Sequence, residues 1–393
     1  LETGMLGVFS SLDFFLFYVF WEIGLVPMYF LIGIWGHEED RPQYSAIKFF
    51  LYTLAGSVFM LLAIIAIYLN SNPQSFDMTL AMQPGNHPFA ANFTAAALAF
   101  TGFFLAFSIK VPLWPFHTWL PDAHTAAPTA GSVILAGILL KLGTYGYLRI
   151  MLPMFPDVFR AAAWIIGTLA VISIVYGALV AMAQTDFKRL IAYSSVNHMG
   201  YVILGIAAAA ALPVGGANAA ANVNSAAIAV NGAVIEMFAH GLITGALFFL
   251  VGMLYERAHT RELSKFGGLG AKVPVYGALL LLAAFASLGL PGLAGFVAEF
   301  LVLRGAFALV PWLAVIAVSG IVITAAYFLW KVIQGVLLGT LKEAWAALPD
   351  LHSYEVITLA PLAALTIIVG LYPQWLIETI NSASTAILKL MGS

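Results

Sequence analysis

A lysine, two histidines, an aspartate and three prolines fall within fifteen residues, Lys110–His124, between two long apolar stretches. A helix facing lipid has no use for such a set. A charge at bilayer depth costs roughly 3 kcal/mol on insertion scales, so ionisable groups there line an interior path. Proline removes a backbone donor, and broken helix at membrane depth is tolerated where it borders protein or water. A broken helix carrying titratable groups therefore reads as part of an ion pathway.

Further ionisable residues stand alone in apolar runs. Glu22 lies in Phe20-Trp21-Glu22-Ile23-Gly24 and Glu299 in Phe296-Val297-Ala298-Glu299-Phe300. Each is read as a proton carrier, against the plainer reading of a hydrogen-bonded structural carboxyl, because burial disfavours the charged form and lets the group hold a proton. Lys110 follows a long apolar run and Lys141 sits in Leu139-Leu140-Lys141-Leu142-Gly143, too deep to snorkel easily. A lysine with a movable glutamate partner is a proton-binding switch. His198 and His240, both within spans, add groups that pass protons through either ring nitrogen. Glu236 precedes His240 by four residues, so the two share a helix face and are expected to interact. For His117 a structural and a pathway role stand level; Asp122 and His124 are read as structural.

Other chemistries fail on spacing. His117 and His124 are seven apart with no third ligand at metal-site spacing. No Ser–His–Asp set or glycine-rich phosphate loop is present, and haem ligation between His198 and His240 is the weakest of the options.

The elements that must position these groups are transmembrane helices. Of 393 residues 62% are hydrophobic and 9% charged, with mean hydropathy +0.98, where soluble domains carry about 25% charged residues. A net charge of −2 without a basic tract argues against a nucleic-acid partner. Zero cysteines exclude disulfides and thiolate-held iron–sulfur clusters in this chain. The chain opens Leu1-Glu2-Thr3 without an initiator methionine or a signal-peptide pattern, and is expected to lack preceding helices.

On a ruler of about 20 apolar residues per span, residues 1–9 are the tail of an earlier helix. Spans follow near 12–35, 44–69, 90–127, 129–150, 157–182, 187–211, 225–254, 273–309, 311–340 and 354–377. Residues 207–227, rich in Ala, Asn and Gly, read as a loop extension without chemistry. The spans 90–127 and 273–309 are about twice normal length. One breaks at Val111-Pro112-Leu113-Trp114-Pro115, the other at Gly289-Leu290-Pro291-Gly292. Interrupted segments at corresponding positions of two halves mark a transporter's ion path. They lie five spans apart, and an odd number inverts one half relative to the other. The expected fold is thus an all-α polytopic membrane protein with two inverted five-helix repeats, 1–150 and 157–341, and a last helix and tail, 354–393. Threading the spans gathers Arg41, Lys48, Lys188, Arg189, Arg257, Arg261, Lys265, Lys272 and Lys342 on one side. Arg149, Arg160, Arg304 and Lys389 fall on the other, and Lys331 is ambiguous. The positive-inside rule makes the first side cytoplasmic and puts the C-terminus outside.

With these residues in view, the chain resembles the M-type antiporter-like membrane subunit of respiratory complex I, the proton-pumping NADH:quinone oxidoreductase, whose mitochondrial counterpart is chain 4. The matching stretches run from Phe20–Tyr29 through Lys110–His124, Ala130–Gly137, Lys141–Thr144, Asp186–Ser195, Tyr255–Arg261 and Phe266–Leu269 to Leu290–Leu293. The resemblance implies an antiporter-like fold whose helices seven and twelve are the two broken spans. Its proton axis would comprise Glu22, Lys110, Lys141, His198, His240 and Glu299, with Glu299 standing where paralogues have lysine. It also implies that FMN, iron–sulfur clusters and quinone belong to other subunits, with no cofactor or metal here. The partners would be those subunits, including paralogous antiporter-like ones, and the location a bacterial plasma membrane. The large subunit of a multisubunit cation/proton antiporter and a ferredoxin-fed photosynthetic relative remain alternatives. Glu236 departs from the family pattern, which usually has an uncharged polar residue there.

Overall fold

The computed structural model describes residues 1–393 apart from 84, 90, 91, 214, 216, 217, 392 and 393. The first two residues of the expected span 90–127, three residues of the segment 207–227 and the end of the tail 354–393 thus lie outside the described residues. Helices dominate: α1 (Glu2–Ser10), α2 (Phe14–Trp35), α3 (Pro42–Asn70), α4 (Phe93–Lys110), α5 (Trp119–Ala126), α6 (Thr129–Met154) and α7 (Pro156–Ala183) come first. They are followed by α8 (Phe187–Ala210), α9 (Ala219–Ala258), α10 (Pro274–Ser287), α11 (Ala294–Leu309), α12 (Pro311–Leu337), α13 (Ser353–Leu371) and α14 (Gln374–Leu390). Among the described residues, β structure is limited to two isolated bridges.

A backbone crossing hydrocarbon must satisfy its own hydrogen bonds, which is why such apolar runs become helices. Their ends are written in sequence. Prolines open α3, α7, α10 and α12, where the missing N–H would be unpaired anyway. Asp13 and Asp186 accept the first free N–H groups of α2 and α8, and Asp350 accepts those of Val275 and Tyr276 at the start of α10.

Nine helices among the described residues are long and apolar enough to cross a membrane. The remaining expected span, 273–309, the eighth in order, is divided into α10 and α11, of 14 and 16 residues. The other long span breaks between α4 and α5, where Trp119 Nε1 donates to the Ile109 carbonyl at 2.9 Å and so satisfies an acceptor that the break releases.

Two expectations are corrected. Residues 219–227 are not loop: α9 runs 40 residues from Ala219, about 60 Å at 1.5 Å per residue. Residues 207–210 likewise close α8. The alanines that looked like low complexity are the best helix formers. The expected span 354–377 stops at Leu371, and the tail beyond it is mostly α14, which lays Asn381 against Asn231 of α9 at 2.8 Å.

α8 is the centre, with 94% of its span buried, against 78% for α9 and 22% for α13. α8 packs on α7, α9 and α11, and α9 packs on α6, α10, α11, α13 and α14. Outer helices point large apolar side chains outward, as Trp312, Ile357 and Leu98 do, a surface suited to lipid. The charges expected on one side do meet on one face: Lys48 and Arg189 pair with Asp122, and Arg261 with Asp40 and Asp186. Arg257 pairs with Glu355 there. Lys331, ambiguous by sequence, joins this face by donating to the Gln184 carbonyl at 2.7 Å. Arg160, at the other end of α7, bonds the Leu212 carbonyl instead.

Small residues let α9 and α11 approach closely. A Cβ on Gly305 would lie 2.5 Å from the Ala229 nitrogen and 2.6 Å from the Ser225 carbonyl. Gly305→Leu is expected to force the helices apart and cost about 1–3 kcal/mol of stability, read as a lower thermal midpoint in detergent.

His37, in the turn after α2, lies edge-on to Tyr255. Burial, helped by Lys188 and Arg261 and opposed by Asp40, lowers its pKa to about 4. The unfolded chain binds that proton near 6.5 and the folded chain near 4, so the unfolded state holds more protons in between. Stability should therefore fall as pH drops through this window, and His37→Gln should flatten that part of a melting-temperature profile.

Candidate proton-transfer axis

Most of the titratable residues singled out by sequence are buried, and they fall into two groups. In the first, Glu22 projects from α2 and Lys110 ends α4, only 1% exposed. Ser57 of α3 lies beside the Glu22 carboxylate, whose Oε1 is buried with no hydrogen-bond partner among the described residues. Lys110 Nζ likewise has none, and sits 5.4 Å from the Trp21 ring centre and 5.7 Å from that of Phe49. The rings attract the ammonium through their quadrupoles. No Glu22–Lys110 ion pair within 4.0 Å occurs among the described residues; the two groups are apart.

The second group is a hydrogen-bonded cluster. Lys141 follows directly on a π-helical turn, Leu135–Leu139, which leaves the Ala136 carbonyl free to accept from the lysine's own ammonium. Such turns concentrate at functional sites. Lys141 Nζ also lies 2.6 Å from His240 Nδ1. On the next helix, His198 Nδ1 is 3.1 Å from Glu299 Oε1 and 3.4 Å from Glu236 Oε1, and its Nε2 is 3.1 Å from Ser287 Oγ. The two histidine rings are 5.7 Å apart between centres. Glu236, His198 and Glu299 present ligand-type atoms within 4.8 Å of one another, all buried.

The geometry departs from sequence order. His240, not His198, neighbours Lys141, and His198 neighbours Glu299. α9 packs on the π turn of α6, while α8 packs on α11, so the histidine later in the chain meets the earlier lysine. Glu236 does not pair with His240 as helix spacing suggested; its partner is His198, on another helix. Glu236 is also the residue that the sequence reading left without a role. The criterion used for Glu22 and Glu299, a carboxylate within an apolar span, would have included it.

His117 stands outside both groups. It lies in the break between α4 and α5, 3% exposed, its nitrogens without partners among the described residues and its ring 5.1 Å from that of Tyr176. Asp122 is a surface anchor for Lys48 and Arg189, and His124 stacks on Phe248 at 4.5 Å. Lys188, counted above among the face charges, is 4% exposed and donates to the Ala127 carbonyl at 2.5 Å.

Residues 11–324 match the family described as NADH:quinone oxidoreductase/Mrp antiporter, TM. The chain belongs to that family. Within it, the chain is 45% identical over 387 residues to NADH-quinone oxidoreductase subunit M of Rhodobacter capsulatus, covering 97% of this chain and 72% of that protein. It is 43% identical over 386 residues to subunit M of Escherichia coli (strain K12), covering 97% and 72%. In shape it matches a chain of respiratory complex I from Thermus thermophilus with bound NADH, with TM-score 0.86, 34% identity, and 99% and 78% of the two chains covered. A chain of the Mrp complex from Dietzia sp. matches with TM-score 0.82 but 26% identity, covering 98% and 40%. Within this antiporter-like family the chain sits with the M subunits rather than with the Mrp proteins, as the sequence motifs implied.

At the second helix break Gly289 has φ +79, and a Cβ there would lie 3.1 Å from Glu299 Oε2. Gly289→Ala is expected to cost about 1–2 kcal/mol for the left-handed backbone and to displace the glutamate. A lower thermal midpoint with assembly intact checks it.

Proposed function

We propose that this chain is the M-type proton-translocating membrane subunit of an NADH:quinone oxidoreductase. It would work beside other membrane subunits, including paralogous antiporter-like ones, in a bacterial plasma membrane. The observation that carries the reading is the buried polar row from Lys141 through His240 to His198 and Glu299. Buried ionisable groups are costly in a membrane, and where they are kept they usually mark an ion or proton path. Electron transfer would occur elsewhere: the chain has no cysteine for an iron–sulfur cluster, and FMN and quinone are assigned to partner subunits.

In this reading the two long broken segments belong to two inverted five-helix repeats, 1–150 and 157–341, with 354–393 as the last helix and tail. The lysine-rich and arginine-rich face is cytoplasmic and the C-terminus lies on the outer side, following the positive-inside rule. Redox energy from the partner subunits shifts Glu22 and Lys110 between paired and separated states. While the carboxylate is close, it offsets the cost of an ammonium in low dielectric; when it withdraws, the lysine sheds its proton. The proton then travels by Lys141, His240 and His198 to Glu299 and the far side. The separation of Glu22 from Lys110 observed here corresponds to the second state. His117, apart from the row, is given no transfer step.

The alternative, a subunit of a cation/proton antiporter without NADH chemistry, is less favoured because its relatives are the more distant ones, 26% identical against 45%. In the assembled complex, Glu22→Gln and Lys110→Ala should each abolish NADH-driven proton uptake into vesicles. Wild-type pumping by both would remove the basis of the proposal. Purification without any flavin-bearing partner would turn it toward the antiporter.

A further inference from the structure

The row just described has a gap between His240 and His198, whose rings are 5.7 Å apart between centres and share no hydrogen bond among the described residues. Two buried polar atoms beside that gap have no partner among the described residues: Glu236 Oε2 and His240 Nε2. Each residue is only 2% exposed. Both line one cavity of about 10 Å³, whose other polar walls are His198, Thr244 and Ser287. That is about the smallest such space that admits one water, which needs two to four polar partners, and this site offers them.

We propose that Glu236 is itself a proton carrier of the axis, joined to His240 by one water held in this cavity. The inference rests on the proton-translocating reading above and extends it to a residue that reading did not use. The step balances. The Lys141 ammonium gives its proton to His240 Nδ1 and becomes a neutral amine. As that N–H bond forms, the Nε2–H bond breaks toward the water, and the water passes one of its own protons to Glu236 Oε2. A carboxylate becomes a carboxylic acid, and His240 returns neutral in its other tautomer. His198 Nδ1 faces both carboxylates, at 3.4 Å from Glu236 and 3.1 Å from Glu299. Neutralising Glu236 leaves the Nδ1–H to Glu299 alone. Its proton moves to Glu299 Oε1; the Glu236 carboxyl then turns to bring its O–H into the place of Oε1 and gives that proton to Nδ1, returning to carboxylate.

A Glu236 that merely orients His198 would need only its acceptor oxygen, which Gln retains; a carrier needs an exchangeable carboxyl. The test uses the whole complex in liposomes, reading protons moved per NADH oxidised, together with infrared difference spectra during turnover. Glu236→Gln is expected to lower the proton-pumping rate by about tenfold or more, and to remove a protonated-carboxyl band from the difference spectrum. Glu236→Asp is expected to recover part of the pumping and to shift that band. Wild-type pumping by Glu236→Gln, while Glu22→Gln and Lys110→Ala are inactive, would overturn the role of Glu236 alone. Normal pumping in all three would overturn the underlying reading instead. If Glu236→Gln does not assemble, the spectra decide between wild type and Glu236→Asp: a shifted carboxyl band supports the proposal, and identical spectra overturn it.

Discussion

A charge inside a low-dielectric protein within a membrane must be held by another group, and the arrangement of this molecule follows from how that demand is met. Where partners exist, they come from different helices: Lys141 with His240, and His198 with Glu236 and Glu299. These contacts tie α6, α8, α9 and α11 together at their middle. Elsewhere the interior is mostly apolar, filled by rings such as Trp119 and Phe103 and opened to close approach by glycines such as Gly305, so the polar cluster supplies orientation where dispersion alone would tolerate rotation.

The second device is interruption. Helices α4 and α5 are separated by a proline-bearing turn, and α10 and α11 by a glycine–proline turn. Each break delivers a buried titratable residue at or near a helix end: Lys110 closes α4, and Glu299 lies in the second turn of α11. The π turn in α6 acts in the same way, opening a backbone acceptor one turn before Lys141. Irregular backbone thus lies beside these groups, and further π-helical stretches occur at Tyr147–Met151 of α6 and Phe328–Leu337 of α12. Lys110, with aromatic rings but no hydrogen-bonding partner among the described residues, contrasts with the tightly held Lys141.

The charged face serves a third purpose. Asp122 holds Lys48 of α3 and Arg189 of α8, Asp40 and Asp186 share Arg261 of the loop after α9, and Glu355 of α13 holds Arg257 of α9, which pins helix ends near water, where such pairs cost little to form. Arginine and lysine pairs with acids thus gather at this face, and the histidine–carboxylate contacts lie inside.

Much of this was legible in the amino-acid order. Hydrophobic run lengths set the spans, Pro112, Pro115 and Pro291 marked the breaks, and lone ionisable residues within apolar runs named Glu22, Lys110, Lys141, His198, His240 and Glu299. These are local properties: backbone satisfaction in hydrocarbon and the cost of isolated charge act residue by residue. Local composition misled at 219–227, where alanine's helix preference outweighed the look of a loop. Which group touches which was decided only by tertiary structure. That His240 reaches Lys141 while His198 reaches Glu299, that Glu236 turns to His198 rather than to the histidine one turn along its own helix, and that Glu22 stands apart from Lys110 all depend on how helices distant in sequence rotate and pack. A helix presents its residues around a full circle, and only its neighbours determine which of them face one another.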